Sequence, residues 1–268
     1  MSSILEKIVE QTREDISRKR RKIAIDDFNG FGEYHRTRRD FAKALVSRNG
    51  ISVIAELKKA SPSKGVIRDS FNPGGIAQSY ENNGAAALSV LTDEPFFKGA
   101  LTYLQEASSI VSIPVLRKDF IIDFYQIEEA RAWGADAVLL IVKITDGQQL
   151  YELHDAAKEA GLQTLVECYD EDDWERLDFN RFSIVGVNNR NLDTFETDLH
   201  RGVHLLRQAP KGVIRVSESG LNQPEDLVML SENGIPCCLI GEHLMRAEDP
   251  GAELARLIAP FSSDGNHS

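Results

Sequence analysis

The sequence predicts an α/β fold, a (βα)8 TIM barrel with an N-terminal helical extension. From Ile51 onward, short β-branched apolar runs alternate with longer amphipathic stretches, which is typical of repeated βα units around a parallel sheet. There are eight such runs, and the 268 residues of the chain suit one barrel of roughly 250 residues. A closed barrel is therefore favoured over a smaller open sheet.

The predicted strands are residues 52–57, 87–92, 114–118, 137–142, 164–168, 184–188, 213–217 and 237–240. Between them, segments such as 125–133 and 149–160 carry apolar residues at helical spacing. Glycines stand just before several strands and predict helix C-caps, namely Gly84, Gly134, Gly161 and Gly234.

Residues 1–50 lie outside this repeat and predict the helical extension. Apolar residues recur at helical spacing from Ile4 to Ile16, and 41–46 predicts a second, short helix. We expect the extension to pack on the bottom or side of the barrel, and a cover over the active site is the alternative. The barrel is assigned to 51–262 and a polar tail to 263–268.

Composition restricts the classes of partner. A net charge of −11 argues against a nucleic-acid or anionic membrane surface, which needs a basic face. No apolar run reaches about 18 residues, and the N-terminus is acidic where a signal peptide is apolar. These features predict a cytoplasmic protein without membrane contact, and three cysteines without a CxxC pair predict no metal site.

Functional side chains of such barrels come from the C-terminal ends of the strands. Reading those ends gives one polar and charged set: Glu56, Lys58, Ser61, Lys118, Glu167, Asn188, Arg190, Glu218 and Ser219. Any one lysine–glutamate pair could be architectural, but so many charges beside an apolar interior need partners or a ligand. The set predicts an acid, a base and anion-binding groups in one site.

Glycines follow the last two predicted strands, Gly220 in SESGL and Gly241 in IGEHLM. Glycine there lets backbone N–H groups approach an oxyanion, and many barrels bind phosphate at this place. The sequence therefore predicts a small phosphorylated ligand.

Several long motifs resemble the indole-3-glycerol-phosphate synthase family. They are IAELKKASPSKGVIR (54–68), LSVLTDEPFFKGA (88–100), PVLRKDFIIDFYQIEEARAWGADAVLLI (114–141), LVECYDEDDWERL (165–177), VGVNNRNLDTFETDL (185–199), VSESGL (216–221) and LIGEHLMR (239–246). The resemblance covers nearly the whole chain. It implies ring closure, decarboxylation and dehydration of 1-(2-carboxyphenylamino)-1-deoxyribulose 5-phosphate, with no cofactor or metal.

The resemblance also implies roles for the site residues. Lys118 matches the general acid and Glu167 the base, while Glu56 and Lys58 match a catalytic pair on the first strand. Lys58 could either hold an anionic group of the substrate or act as the acid in dehydration. The matched substrate-binding residues are Asn188, Arg190, Glu218 and Ser219, with Gly220 and Gly241 at the phosphate and Ser61 on a mobile first loop.

Some questions stay open at this point. Phe96 and Phe97 are expected to be exposed and could stack on the anthranilate ring. Some family members carry serine where this chain has Glu242, whose side chain must then turn away from the phosphate.

Two alternative functions stay open. One is another phosphate-binding barrel enzyme, such as phosphoribosylanthranilate isomerase or a tryptophan synthase α-type lyase, and the other is a catalytically silent scaffold barrel. The oligomeric state is not predicted.

Overall fold

The computed structural model describes residues 3–47, 50–191 and 194–261. Eight parallel strands form a closed barrel, which confirms the predicted fold class. In chain order they are β1 Ser52–Leu57, β2 Ala87–Leu91, β3 Val115–Lys118, β4 Ala137–Ile141, β5 Gln163–Cys168, β6 Ile184–Asn188, β7 Ile214–Glu218 and β8 Cys237–Ile240. Each strand pairs with its neighbours in sequence, and β8 closes the barrel on β1. No predicted strand boundary is wrong by more than one residue.

Helices connect the strands and surround the barrel. The described α-helices are α1 Ile4–Arg20, α2 Phe41–Val46, α3 Pro73–Asn82, α4 Glu94–Phe97, α5 Leu101–Ile110, α6 Phe124–Ala132, α7 Gly147–Glu159, α8 Glu171–Glu175, α9 Leu199–Leu206, α10 Pro224–Glu232, α11 Glu242–Arg246 and α12 Pro250–Ile258. Short 3-10 helices span Ile25–Gly30, Val142–Ile144 and Ala259–Phe261. The four predicted cap glycines all have positive φ. A short hairpin with two residues in each strand pairs Ala60–Ser61 with Gly65–Val66 directly after β1.

The extension contacts both ends of the barrel. In α2, Phe41 and Leu45 are fully buried against the strand starts, and the Cys237 thiol donates to the Leu45 carbonyl at 3.2 Å. In α1, Leu5 and Ile8 pack against apolar residues at the C-terminal ends of the strands. One short segment of sequence thus closes the bottom of the barrel and covers its top.

Side-chain alternation along the strands determines what the interior presents. Leu116, Leu165 and Val216 belong to the cluster inside the barrel. Successive side chains of a strand point to opposite faces, so the residues two positions further on also point inward. These are Lys118, Glu167 and Glu218, each at or next to the end of its strand. Charged groups therefore lie directly above an apolar interior.

Buried Asp136 anchors the extension to the strand starts at the bottom of the barrel. Its carboxylate accepts hydrogen bonds from Arg36 Nη2, the Arg39 backbone N–H and the Val115 backbone N–H, each at 2.9 Å. None of its surface is exposed. Removing this acceptor leaves the backbone N–H groups of Arg39 and Val115 without their partner and takes one of its two carboxylate partners from Arg36, which keeps Glu33 at 2.9 Å.

We expect Asp136→Ala to lower the free energy of unfolding by about 2 to 4 kcal/mol, because two backbone N–H groups and the Arg36 guanidinium lose a buried acceptor. Urea denaturation measures the change. The control is Asp155→Ala, which removes a half-exposed partner of Arg181 at 3.4 Å and should cost less than about 1 kcal/mol. Similar losses in the two variants would contradict the anchoring role.

Candidate active site

A cavity of about 500 Å³ opens at the C-terminal end of the barrel. Every residue that the sequence analysis assigned to the site lines it: Glu56, Lys58, Ser61, Lys118, Glu167, Asn188, Arg190, Glu218, Ser219, Gly220 and Gly241. These residues come from six of the eight strand ends. Closure of the barrel brings them together because parallel strands all end on the same rim.

Lys118 lies at the centre of the charged group. Its Nζ donates to Glu167 Oε2 at 2.7 Å and to Glu218 Oε2 at 2.5 Å. The side chain of Lys118 is 13% exposed, and those of the glutamates are 4% and 1% exposed. One ammonium is therefore held between two carboxyl groups that water barely reaches.

This geometry shifts the pKa of each group. Burial alone would lower the pKa of Lys118, but the adjacent carboxylates outweigh it and raise that pKa well above the ordinary value. Burial would raise the pKa of Glu167, but Lys118 outweighs it and lowers it. Burial raises the pKa of Glu218 to about 8; Lys118 opposes this shift and Glu167 adds to it. At neutral pH the cluster is thus a protonated lysine, an ionised Glu167 and a largely protonated Glu218.

A glycine on the neighbouring strand makes room for Glu218. A Cβ built on Gly186 would overlap Glu218 Oε1 and lie 3.3 Å from its Cδ. That same Oε1 is buried and has no hydrogen-bond partner among the described residues. Gly186 was not predicted from the sequence, since a glycine inside an apolar run carries no chemical signal of its own.

Glu56 and Lys58 form a second charged pair. Lys58 Nζ lies 2.9 Å from Glu56 Oε1, and the Ser89 hydroxyl donates to Glu56 Oε2 at 3.4 Å. A Cβ at Gly241 would lie 2.9 Å from the Glu56 Cδ, so the carboxylate takes the space that a side chain at 241 would need. Gly241 therefore has a packing reason to be glycine besides its predicted contact with phosphate.

The turn after β7 has an unusual backbone. Ser219 and Gly220 have φ values of 70° and 81°, and such left-handed backbone is uncommon for a residue other than glycine. Their N–H groups donate to no acceptor within the described residues. The turn thus offers backbone donors at the edge of the cavity.

Asn188 and Arg190 lie next to the charged cluster. The Asn188 amide donates to Glu167 Oε1 at 3.5 Å, and its Oδ1 accepts from the Arg190 backbone N–H at 3.1 Å. Arg190 Nη1 donates to Glu242 Oε2 at 3.0 Å, and Arg246 Nε donates to the other oxygen of Glu242 at 3.2 Å. The Glu242 carboxylate is thus neutralised by two arginines.

The opposite side of the cavity is apolar. Phe97 and Phe120 lie with ring centroids 6.0 Å apart, and Leu139 and Ile141 of β4 complete this wall. The expectation that Phe96 and Phe97 are exposed was wrong, because both are half-buried, and only Phe97 lines the cavity. The ring of Phe97 packs beneath Lys58, whose Nζ lies 5.9 Å from its centroid.

Several lining residues were not predicted for the site. Ile4, Leu5 and Ile8 of α1 line the cavity from above. Their helical spacing was visible in the sequence, but an apolar stripe does not reveal which surface it covers. Phe195, with a positive φ of 61°, also lines the cavity while remaining 39% exposed. No sequence signal marked it as part of the site.

Comparisons with known proteins point to one family. The family model for indole-3-glycerol phosphate synthase matches residues 5–257. The indole-3-glycerol phosphate synthase of Salinibacter ruber is 52% identical over 259 residues, covering 96% of each chain. That of Rhodopirellula baltica is 45% identical over 257 residues, covering 96% of this chain and 99% of the relative. These relatives are named as enzymes, so the scaffold alternative finds no support.

Among solved structures, a variant tryptophan synthase alpha-subunit from Pyrococcus furiosus superposes with a TM-score of 0.61. It is 17% identical and covers 78% of this chain and 98% of its own, so this likeness concerns the barrel fold alone. No described helix combines the length and apolar character needed to cross a membrane. Matched by the family model over almost its full length, the chain belongs to the indole-3-glycerol phosphate synthase family.

Proposed function

We propose that this chain converts 1-(2-carboxyphenylamino)-1-deoxyribulose 5-phosphate to indole-3-glycerol phosphate, carbon dioxide and water, in the cytoplasm. The observation that carries the proposal is Lys118 Nζ held 2.7 Å from Glu167 Oε2 inside the cavity, a contact that raises the pKa of the lysine and lowers that of the glutamate. Such a pair supplies both an acid and a base to one bound molecule. The reaction needs both, because it forms a carbon–carbon bond at a ketone and then eliminates water.

In the first step, the aromatic carbon that carries the carboxyl group attacks the ketone carbon of the substrate. The ketone oxygen then gains negative charge and takes a proton from Lys118, which is protonated at neutral pH. Substrate entering between the ammonium and the carboxyl groups weakens their contacts. That lowers the pKa of Lys118 toward the range in which proton donation is efficient.

In the second step, the carboxyl group leaves as carbon dioxide and its bonding electrons return to the ring. In the third, the new hydroxyl leaves as water while a proton is removed from the ring. We assign that removal to Glu167, which is ionised and receives the Asn188 amide hydrogen bond. We assign protonation of the leaving hydroxyl to Lys58, another lysine that lines the cavity, paired with Glu56 at 2.9 Å.

The two sides of the cavity suit the two ends of the substrate. The apolar wall comes from β2 to β4 and the loops after them, whereas the glycine-containing turns follow β7 and β8. In the closed barrel, the sector of the apolar wall and the sector of the glycine-containing turns are separated by β1 on one side and by β5 and β6 on the other. The aromatic ring fits the first sector, and the phosphate fits the second, at Gly220 and Gly241. Asn188, Arg190, Ser219 and Ser61 then surround the ribulose chain.

Indole fluorescence provides the direct test with the carboxyphenylamino-deoxyribulose phosphate as substrate. We expect turnover by the wild type and a loss of at least about a hundredfold in Lys118→Met and in Glu167→Gln, as for general acid–base groups. The exposed Lys158→Met and Glu159→Gln are matched controls that should retain full activity. Absence of wild-type turnover would sink the proposed reaction, whereas turnover unaffected by the first two variants would overturn only the assigned roles.

Gly186→Ala tests whether the position of Glu218 matters. The added methyl group would displace the Glu218 carboxyl from Lys118, and we expect a loss of kcat on the order of a hundredfold, as for a misplacement of about 1 Å within a site. The control, Gly147→Ala, places its methyl group where no other atom lies within 4 Å. Wild-type kcat in a folded Gly186→Ala variant, checked by circular dichroism, would show that the cluster tolerates this displacement.

The raised pKa of Glu218 makes stability depend on pH. Folding raises this pKa from the ordinary 4.5 to about 8. The stability gained by protonation is therefore complete below 4.5 and lost as the pH rises through 8. The glutamine of Glu218→Gln is neutral at every pH. The free energy of unfolding of this variant should therefore rise relative to that of the wild type as the pH increases from about 6 to about 9. Urea titrations at both values, with Glu159→Gln as control, measure the difference, and a constant difference would contradict the shift.

A further inference from the structure

Asn189 is a fully buried polar residue directly behind the turn that follows β7. None of its surface is exposed, and it does not line the cavity. Its Nδ2 donates to the Ser219 carbonyl at 2.9 Å and to the Ser217 hydroxyl at 3.0 Å. Both partners lie on the segment that carries the left-handed Ser219. Asn189 therefore contacts the turn but does not itself reach the cavity.

The backbone of Asn189 is itself fixed on two sides. Its N–H donates to the Glu218 carbonyl at 2.8 Å, and its own carbonyl accepts from the Asp198 N–H at 3.0 Å. Asp198 is the N-cap of α9. A buried amide that is held at both backbone groups can impose its geometry on a neighbour.

The side chain of Asn189 also occupies a specific space. A Cβ at Gly202 of α9 would overlap Asn189 Oδ1 and lie 3.0 Å from its Cγ. Oδ1 has no hydrogen-bond partner among the described residues, which is a cost for a buried acceptor. The hydrogen bonds made by Nδ2 are thus the polar interactions of this side chain, and they are directed at the turn.

Ser219 needs such support. Left-handed backbone disfavours a residue with a Cβ, and it persists where the surroundings over-determine it. We propose that Asn189 is a positioning residue that holds Ser219 in this conformation, so that the N–H groups of Ser219 and Gly220 face the phosphate of the substrate. This inference rests on the phosphate position in the proposed function.

The first test compares Asn189→Ala with the wild type in the fluorescence assay, using inorganic phosphate as a competitive inhibitor. We expect KM and the inhibition constant of inorganic phosphate to rise together by about tenfold, the factor that corresponds to the cost of left-handed backbone. The value of kcat should change less than about threefold, because the Asn189 side chain makes no hydrogen bond to the side chains of Lys118, Glu167 or Glu218. A fall in kcat with both other constants unchanged would overturn the proposal.

Ser219→Gly provides the decisive comparison. Glycine adopts positive φ without steric cost, so Asn189 should become dispensable when residue 219 is glycine. We expect Asn189→Ala to raise the inhibition constant about tenfold in the wild-type background and less than about twofold in the Ser219→Gly background. Equal effects in the two backgrounds would show that Asn189 acts by general packing, and the proposal would fail.

Gly202→Ala displaces the Asn189 side chain from the side of α9. It provides the test if Asn189→Ala does not fold. It should raise the inhibition constant for inorganic phosphate, and Ser219→Gly should relieve that rise too; a rise that Ser219→Gly leaves unchanged would count against the proposal. Wild-type turnover is measured first. Its absence would refute the proposed function, whereas normal turnover with additive variants refutes only the role of Asn189.

Discussion

Burial of one ammonium between two carboxyl groups is the interaction on which the site depends. Moving an unpaired charge out of water costs several kcal/mol or more, and only close pairing with further hydrogen bonds offsets that cost. Lys118 meets this condition with Glu167 and Glu218. Two carboxylates beside one ammonium would leave an excess negative charge in the interior, and the raised pKa of Glu218 removes most of that excess at neutral pH. The proton on Glu218 thus brings the net charge of the cluster close to zero at neutral pH.

That balance constrains residues with no charge of their own. Glu218 can reach Lys118 because Gly186 leaves room for its carboxyl group, and Gly241 does the same for Glu56. Water is kept from the cluster by the apolar wall and by the first helix, whose Leu5 and Ile8 lie over the cavity. Electrostatic interactions are stronger where water is excluded. The glycines and the covering helix therefore support the same electrostatic interactions as the charged groups do.

The sequence was sufficient to predict the eight strands and the polar set at their ends, because apolar β-branched runs and strand-end position are local features. Lys118 and Glu167 were identified in that way, and the structure brings them within 2.7 Å. Gly186 and Asn189 were missed because their importance depends on which atoms approach from another strand or helix. Ile4 and Leu5 were visible as an apolar stripe, but the surface that the stripe covers depends on the tertiary fold.

Two neighbouring residues of strand β3 point to opposite faces of the barrel sheet. Lys118 points into the cavity, whereas Arg117 points outward, is fully buried, and donates to Asp119 at 2.8 Å and to Glu129 at 2.7 Å. Glu129 also pairs with Lys19 of α1 at 2.9 Å. The strand that carries Lys118 is thus linked, through Arg117 and Glu129, to the helix that covers the cavity. A change at Arg117 would affect both the position of Lys118 and the contact of α1 with the barrel, so the two adjacent basic residues of RKDF have separate physical roles.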